Sequence, residues 1–176
     1  PGFANAIPGL ASALHAESPV LSISGSAELN ELGRGAMQEI DQIGMARPVT
    51  KGAWMVTNPQ LIPDAIAHAV RVAFGGRHGP VHLTIPVDVQ EQEVAEDQVH
   101  FFGSDDRPVA ARTKTAEDDI REAVAVLRSA SRPVVIAGSA ASYDGSGEAI
   151  RRFIETTRLP LMTEADARGI VADDHE

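Results

Sequence analysis

Apolar positions recur along this chain in two alternating rhythms, one at helical spacing and one at strand spacing. Over residues 5–15, Ile7, Leu10, Ala11 and Leu14 fall three and four apart, which places them on one helical face, with Pro8 tolerable in a first turn. Residues 20–24 are short and apolar and close at Gly25, the mark of a strand buried on both sides inside a sheet. Met37, Ile40 and Ile43 stand three apart, predicting a short helix ended by Gly44 and Pro48. Asn58 followed by Pro59 is an N-cap with a first-turn proline; Ile62, Ile66, Ala69 and Ala73 make the next helical face, and Gly75-Gly76 can close it in left-handed geometry. Val81, Leu83 and Ile85 then alternate with His82 and Thr84, a strand that Pro86 stops.

The rhythm lapses in residues 91–114, acidic and then basic, which reads as a linker. It resumes at Thr115, an N-cap with Asp118 three residues on, leading into a helix faced by Ile120, Val124 and Leu127. A strand at residues 134–137 runs into a small-residue turn; Ile150, Phe153, Ile154 and Thr157 mark another helix, and "LPLMT" another strand. Helices alternating with short apolar strands predict an α/β fold: two partial parallel-sheet units with helices on both faces, joined by a linker. The expected division is 1–90, 91–114 and 115–176.

Composition narrows the function. The net charge of −10, with Lys and Arg scattered singly, argues against a nucleic-acid partner. No apolar run approaches the roughly 20 residues of a membrane span. With no cysteine, thiolate metal sites and Cys nucleophiles are excluded, and a reducing, cytoplasmic setting fits. His15, His68, His78, His82, His100 and His175 are dispersed, without the spacing that sets two ligands on one helical face, so no metal site is expected. The serines of "SISGSAE" and "AGSAAS" form no G-x-S-x-G elbow. Glu39 and Asp41, two apart on a helix, would point to different sides and read as solvated charges rather than as an acid-base pair. "AGSAASYDGSG" follows a strand and precedes a helix, where dinucleotides bind, though small residues there also serve tight packing.

Taken together, "PGFAN", "VLSISGS", "MQEIDQIGMARPVTK", "GPVHLTIPVDVQ", "RPVVIAGSAAS" and "ARGIVADDHE" occur in the order and at about the intervals of thiamine-diphosphate-dependent enzymes. The chain resembles the acetolactate synthase group, with benzaldehyde lyase and oxalyl-CoA decarboxylase as relatives. The resemblance implies flavodoxin-like and Rossmann-like units: residues 1–90 as the C-terminal part of the pyrimidine-binding domain and 115–176 as the N-terminal part of the central domain.

In that family a G-P-G-x-x-N turn opens a helix beside the cofactor's aminopyrimidine. Pro1, Gly2 and Asn5 match all but its leading Gly, so the chain is expected to begin inside its own motif. Gln38 and Glu39 match a family pair near the reacting centre, with Gln38 the expected contact because an amide both donates and accepts; Lys51 matches a lysine near the substrate entrance. Asn5 and Gln38 should border one crevice. Gly138 and Ser139 lie where relatives hold FAD or ADP, but Gly-Ser-Ala-Ala-Ser replaces the usual glycine-rich run, which weighs against flavin.

The family's catalytic Glu would lie upstream, and the Asp and Asn that bind Mg²⁺ in a third domain. No catalytic residue is therefore expected in this chain, which should be inactive alone. The resemblance implies a parent decarboxylase, carboligase or lyase acting on a 2-oxo acid, acyl-CoA or acyloin, a homodimer or homotetramer with its site between subunits. A non-catalytic nucleotide-binding module is the alternative, and a purely structural oligomerisation piece a third reading.

Overall fold

A computed structural model describes residues 1–101, 114–172 and 174; most of the segment read as a linker, and His175, lie outside the described residues. The chain divides into two compact units, Pro1–Ala111 and Arg112–Glu176. The first is built around a three-stranded parallel sheet in the order β1 (Leu21–Ser26), β3 (Val81–Pro86), β2 (Gly52–Met55). The second holds a two-stranded parallel sheet of β4 (Val135–Ala137) and β5 (Leu161–Thr163). Both are α/β.

In the first unit the alternation along β3 is real, but both of its faces are covered. Val81, Leu83 and Ile85 pack with Val56, and with Val89 of the short α4 (Val87–Gln90), against Ala69 and Ala73 of α3 (Ile62–Phe74). His82 and Thr84 face the other way, where Phe3 of the opening 3₁₀ turn, Leu10 of α1 (Ile7–His15) and Ala46 of α2 (Gln42–Ala46) gather, and the His82 ring lies 4.0 Å from that of Phe3. All six residues of β3 are buried, as a central strand requires. The Asn58 side chain accepts from Gln60 N at 3.0 Å and opens a 3₁₀ turn that runs into α3, while Gly76, at φ +60°, supplies the left-handed residue after it.

Three expectations are corrected here. The first strand lies at the edge of the described sheet, with Val20 and Ile23 exposed, because β3 and not β1 takes the middle position. The expected helix over Met37 to Ile43 is displaced to Gln42–Ala46, because the Asp41 carboxylate accepts from Gly44 N at 2.8 Å and caps the chain there. The strand β2 was not expected at all. Its four residues carry no period and take their structure from the ladder to β3.

In the second unit, α5 (Glu117–Ser129) starts one residue later than Thr115 predicts, with Ala116 at the cap position; no side chain caps it, and Glu117, Asp118 and Asp119 complement the dipole of its first turn instead. The short α6 (Ala140–Tyr143) and α7 (Gly147–Thr157) follow β4, and Ile154 of α7 is buried, as are Ala137 and Ala167. Ile136 and Met162, paired across the ladder, share the opposite face and are 64% and 60% exposed. Ile120 and Val124 of α5 are exposed as well, so the predicted apolar face of that helix is uncovered within the unit. No helix among the described residues is long and apolar enough to cross a membrane.

Candidate functional site

The first unit carries two adjoining crevices at the carboxyl ends of β1 and β3, the edge where open α/β sheets collect their ligands. One, of about 480 Å³, is bordered by Pro1, Gly2 and Phe3 at the amino end, by residues 24–27 at the carboxyl end of β1, by Met37 and Gln38, and by Val87 and Gln90 beyond β3. The other, of about 410 Å³, is bordered by Leu32, residues 39–43, Met55 and Thr84. Ser26 and Gln42 border both.

The segment that brings Gln38 to the crevice is held by its neighbour. The Glu39 carboxylate accepts backbone N–H bonds from Gly33, from Gly35 at 3.1 Å and from Ala36 at 3.1 Å. Those amides converge because Gly33 and Gly35 both sit at φ +77°, a conformation L side chains rarely adopt. The Gly33 bond, foremost among these, holds the Glu39 carboxyl below its ordinary range. A carboxylate held ionised and saturated by backbone donors is a poor proton acceptor near neutral pH, so Glu39 acts as a loop clasp and not as a base. Gln38, exposed beside it, is at φ +62°, a costly conformation for a non-glycine residue and one found at sites that must present a side chain.

Asp41 is likewise committed, to the cap of α2. Replacing it with Ala is expected to cost about 1 kcal/mol, the usual loss of an N-cap, measured as a fall in the urea midpoint of the first unit. Gly44→Ala should cost a similar amount, because a Cβ there would collide with the Asp41 carboxylate and displace the cap.

The expected site residues are only partly brought together. Pro1, Gly2 and Gln38 border one crevice. Asn5 does not border it; its backbone N–H bonds Gly2 O at 3.2 Å and the residue is exposed. Lys51 stands at the opposite end of the sheet, where its backbone N–H bonds Pro80 O and its Nζ reaches the carbonyl of Gly75 beyond α3 at 2.5 Å. Burial lowers the Lys51 pKa. In the second unit a Cβ on Gly138 would lie 3.2 Å from the Glu164 carboxylate, and the helix after Ser139 is one turn long. A carboxylate accepts from a hydroxyl but repels a phosphate, so Glu164 as placed disfavours a diphosphate beside Gly138.

Sequence reasoning missed Phe3, Gln42 and His82. Gln42 donates from Nε2 to Gly25 O at 2.8 Å and accepts from Thr84 Oγ1 at 3.1 Å and from Ser24 Oγ. Its partners stand 17, 42 and 18 residues away, so no local pattern announces it. The nearest signal was Asp41, whose capping role makes residue 42 the start of a helix.

Two families match this chain: "Thiamine pyrophosphate enzyme, N-terminal TPP binding domain" over residues 1–45 and "Thiamine pyrophosphate enzyme, central domain" over residues 120–176. The chain is 32% identical to a probable acetolactate synthase large subunit of Methanocaldococcus jannaschii, over 99% of its own length and 30% of the relative's. It is 33% identical to an oxalyl-CoA decarboxylase of Escherichia coli K12, over 99% of itself and 31% of that protein. A 2-hydroxyacyl-CoA lyase of Arabidopsis thaliana is 29% identical over the whole chain and 31% of the relative. The chain thus spans about a third of the length of the curated relatives it matches.

Proposed function

The chain belongs to the thiamine pyrophosphate enzyme family, and from that premise we propose that it supplies one wall of the cofactor and substrate cleft in a thiamine-diphosphate-dependent decarboxylase, carboligase or lyase. The substrate is a 2-oxo acid, an acyl-CoA or an acyloin, and the working assembly a homodimer or homotetramer with its site between subunits. One observation carries the reading: the crevice at the carboxyl ends of β1 and β3 joins Gly2 and Phe3 to Gln38, segments far apart in the chain.

The residues present fit one part of the cofactor and not another. Phe3 offers an aromatic neighbour, and Ser26, Gln38 and Gln90 offer hydroxyl and amide groups around about 480 Å³, a donor set suited to a neutral heteroaromatic ring. Among the described residues no group of three or more His, Asp or Glu could hold a metal ion, so the described residues do not fit Mg²⁺ or the diphosphate bound through it. When bound, thiamine diphosphate supplies a carbon nucleophile and an electron sink. The chain's own part is positional: Gln38 is presented to the reacting group by the Glu39 clasp, able both to donate and to accept. FAD or ADP at Gly138 and Ser139 is outside this proposal, for the reason Glu164 gives.

Two measurements test it. Calorimetry of the 176-residue chain with thiamine diphosphate and Mg²⁺ should detect no binding at micromolar concentration; tight binding would refute the claim that metal and diphosphate ligands come from elsewhere. The longer protein, purified with both cofactors, should turn over one of pyruvate, oxalyl-CoA or benzoin. Turnover of none would remove the substrate classes proposed.

A further inference from the structure

Beneath the crevice, five polar side chains form one hydrogen-bond chain whose direction can be deduced from donor counts. Gly25 O can only accept, so the side of the Gln42 amide facing it at 2.8 Å is Nε2, and Oε1 faces the hydroxyls of Ser24 and Thr84, which both donate. The single Thr84 proton is thereby committed to Gln42. The 3.0 Å contact between Thr84 Oγ1 and His82 Nε2 must then be donated by the imidazole, which fixes the neutral ring as the Nε2–H tautomer. His82 Nδ1 accepts in turn from Ser22 Oγ at 3.1 Å. Every link runs the same way, from Ser22 through His82 and Thr84 to Gln42, and ends on the carbonyl of Gly25.

No partner-free polar side-chain atom is buried among the described residues, so the chain is closed. Its last side chain, Gln42, borders both crevices, as Ser26 does. Gln42 is also the first residue of α2, directly after the Asp41 cap, and the Glu39 clasp lies three residues before it. One amide therefore ties the carboxyl end of β1 and the middle of β3 to the point where the loop carrying Gln38 meets its helix.

We propose that Gln42 is a positioning residue of the crevice, which sets the place of residues 37–41, Gln38 among them, through an amide oriented by the Ser22–His82–Thr84 chain behind it. The inference stands on contacts within this chain and not on the cofactor assignment, so either can fail without the other.

Nuclear magnetic resonance of the 176-residue chain tests it without substrate or cofactor. In the unsubstituted protein, imidazole ¹⁵N correlations should show His82 as Nε2–H; the Nδ1–H form would reverse the deduced direction and overturn the proposal. Gln42→Met keeps the length of the side chain and removes its amide. The Thr84 hydroxyl, left without Gln42 Oε1, is then free to donate to His82, and the Nδ1–H tautomer should appear. Amide exchange at Glu39, Gly44 and Met45, whose N–H groups bond Ala36 O, the Asp41 carboxylate and Asp41 O, should quicken at least tenfold. The amide of Val81, bonded to Val20 O away from the crevice, should stay within about twofold.

Equal acceleration at all four amides, or an unchanged tautomer, would make Gln42 an ordinary packing residue. Should Gln42→Met fail to fold, Thr84→Val serves: it takes the acceptor from His82 Nε2 but leaves the Ser24 and Gly25 bonds to Gln42. The expected result is a shifted tautomer with exchange at Gly44 and Met45 nearly unchanged. A tenfold rise there would place the positioning role on Thr84 instead.

Discussion

Lowering the pH from 7 to about 4 is expected to remove roughly 3 kcal/mol of stability from the Pro1–Ala111 unit through one histidine. His82 is fully buried in the central strand, under the ring of Phe3, and burial pushes its pKa from 6.5 down to about 4; the bond that a protonated ring could donate to the Ser22 backbone offsets this only in part. The unfolded chain takes up a proton near 6.5, whereas the folded one resists it until about 4. The unfolded state therefore binds more protons between these values, so stability is complete above 6.5 and is lost as the pH falls through the window. At about 1.4 kcal/mol per pH unit, that window gives the figure above. Trp54, the only tryptophan, sits in β2 of the same sheet, so urea midpoints followed by its emission at pH 7, 6 and 5 read this unit alone. His82→Gln, which keeps a donor and an acceptor but cannot titrate, should flatten the slope between pH 6.5 and 5. A midpoint independent of pH in the unsubstituted protein, or an equal slope in the variant, would mean that His82 is solvated in the folded state.

That a histidine could matter here was not visible in the chain. Its position was: the Val81, Leu83, Ile85 alternation located the strand, and Asn58-Pro59 with Gly75-Gly76 located the helix before it, because these signals are local. What failed was whatever the ladder decides. The Gly52–Met55 strand has no period of its own and exists because Val81 to Thr84 pair with it, and an apolar run at residues 20–24 does not say whether it lies at the centre or the edge of a sheet. Around the crevice the same division holds. The resemblance pointed to Gln38, Gly2 and Pro1, which do meet, but the expected helix over residues 37–43 gave way to a clasp and a cap. A carboxylate that binds backbone amides three to six residues back looks, in sequence, like any solvated Glu. Lys51, matched by motif alone, stands just before β2, at the amino end of the sheet and away from the crevice.

Among substitutions, the largest expected loss comes from the residue on which both strand pairs converge. Leu83 pairs with Ile23 on one side and with Trp54 on the other, is fully buried, and packs against the alanine face of α3. Leu83→Ala removes that volume from between a strand and a helix that cannot close over it, and should cost about 3 kcal/mol, within the 2 to 5 typical of such truncations. Leu83→Met, nearly volume-conserving, should cost less than about 1.5 kcal/mol. The informative control is Ile23→Ala in the same row of the sheet. Ile23 is 49% exposed on the edge strand, so its truncation should cost roughly 1 kcal/mol or less. Trp54 emission reports these changes in the first unit, while Tyr143, the only tyrosine, reports the second; the two units need not unfold together, so each is fitted separately. The comparison also probes the β1 edge. Two buried parallel strands normally flank a strand of this composition, and an apolar edge left open invites pairing with another chain. If Ile23→Ala cost as much as Leu83→Ala, that edge would be covered in solution, by a second copy or by further chain, and the exposed position given to Ile23 would be wrong.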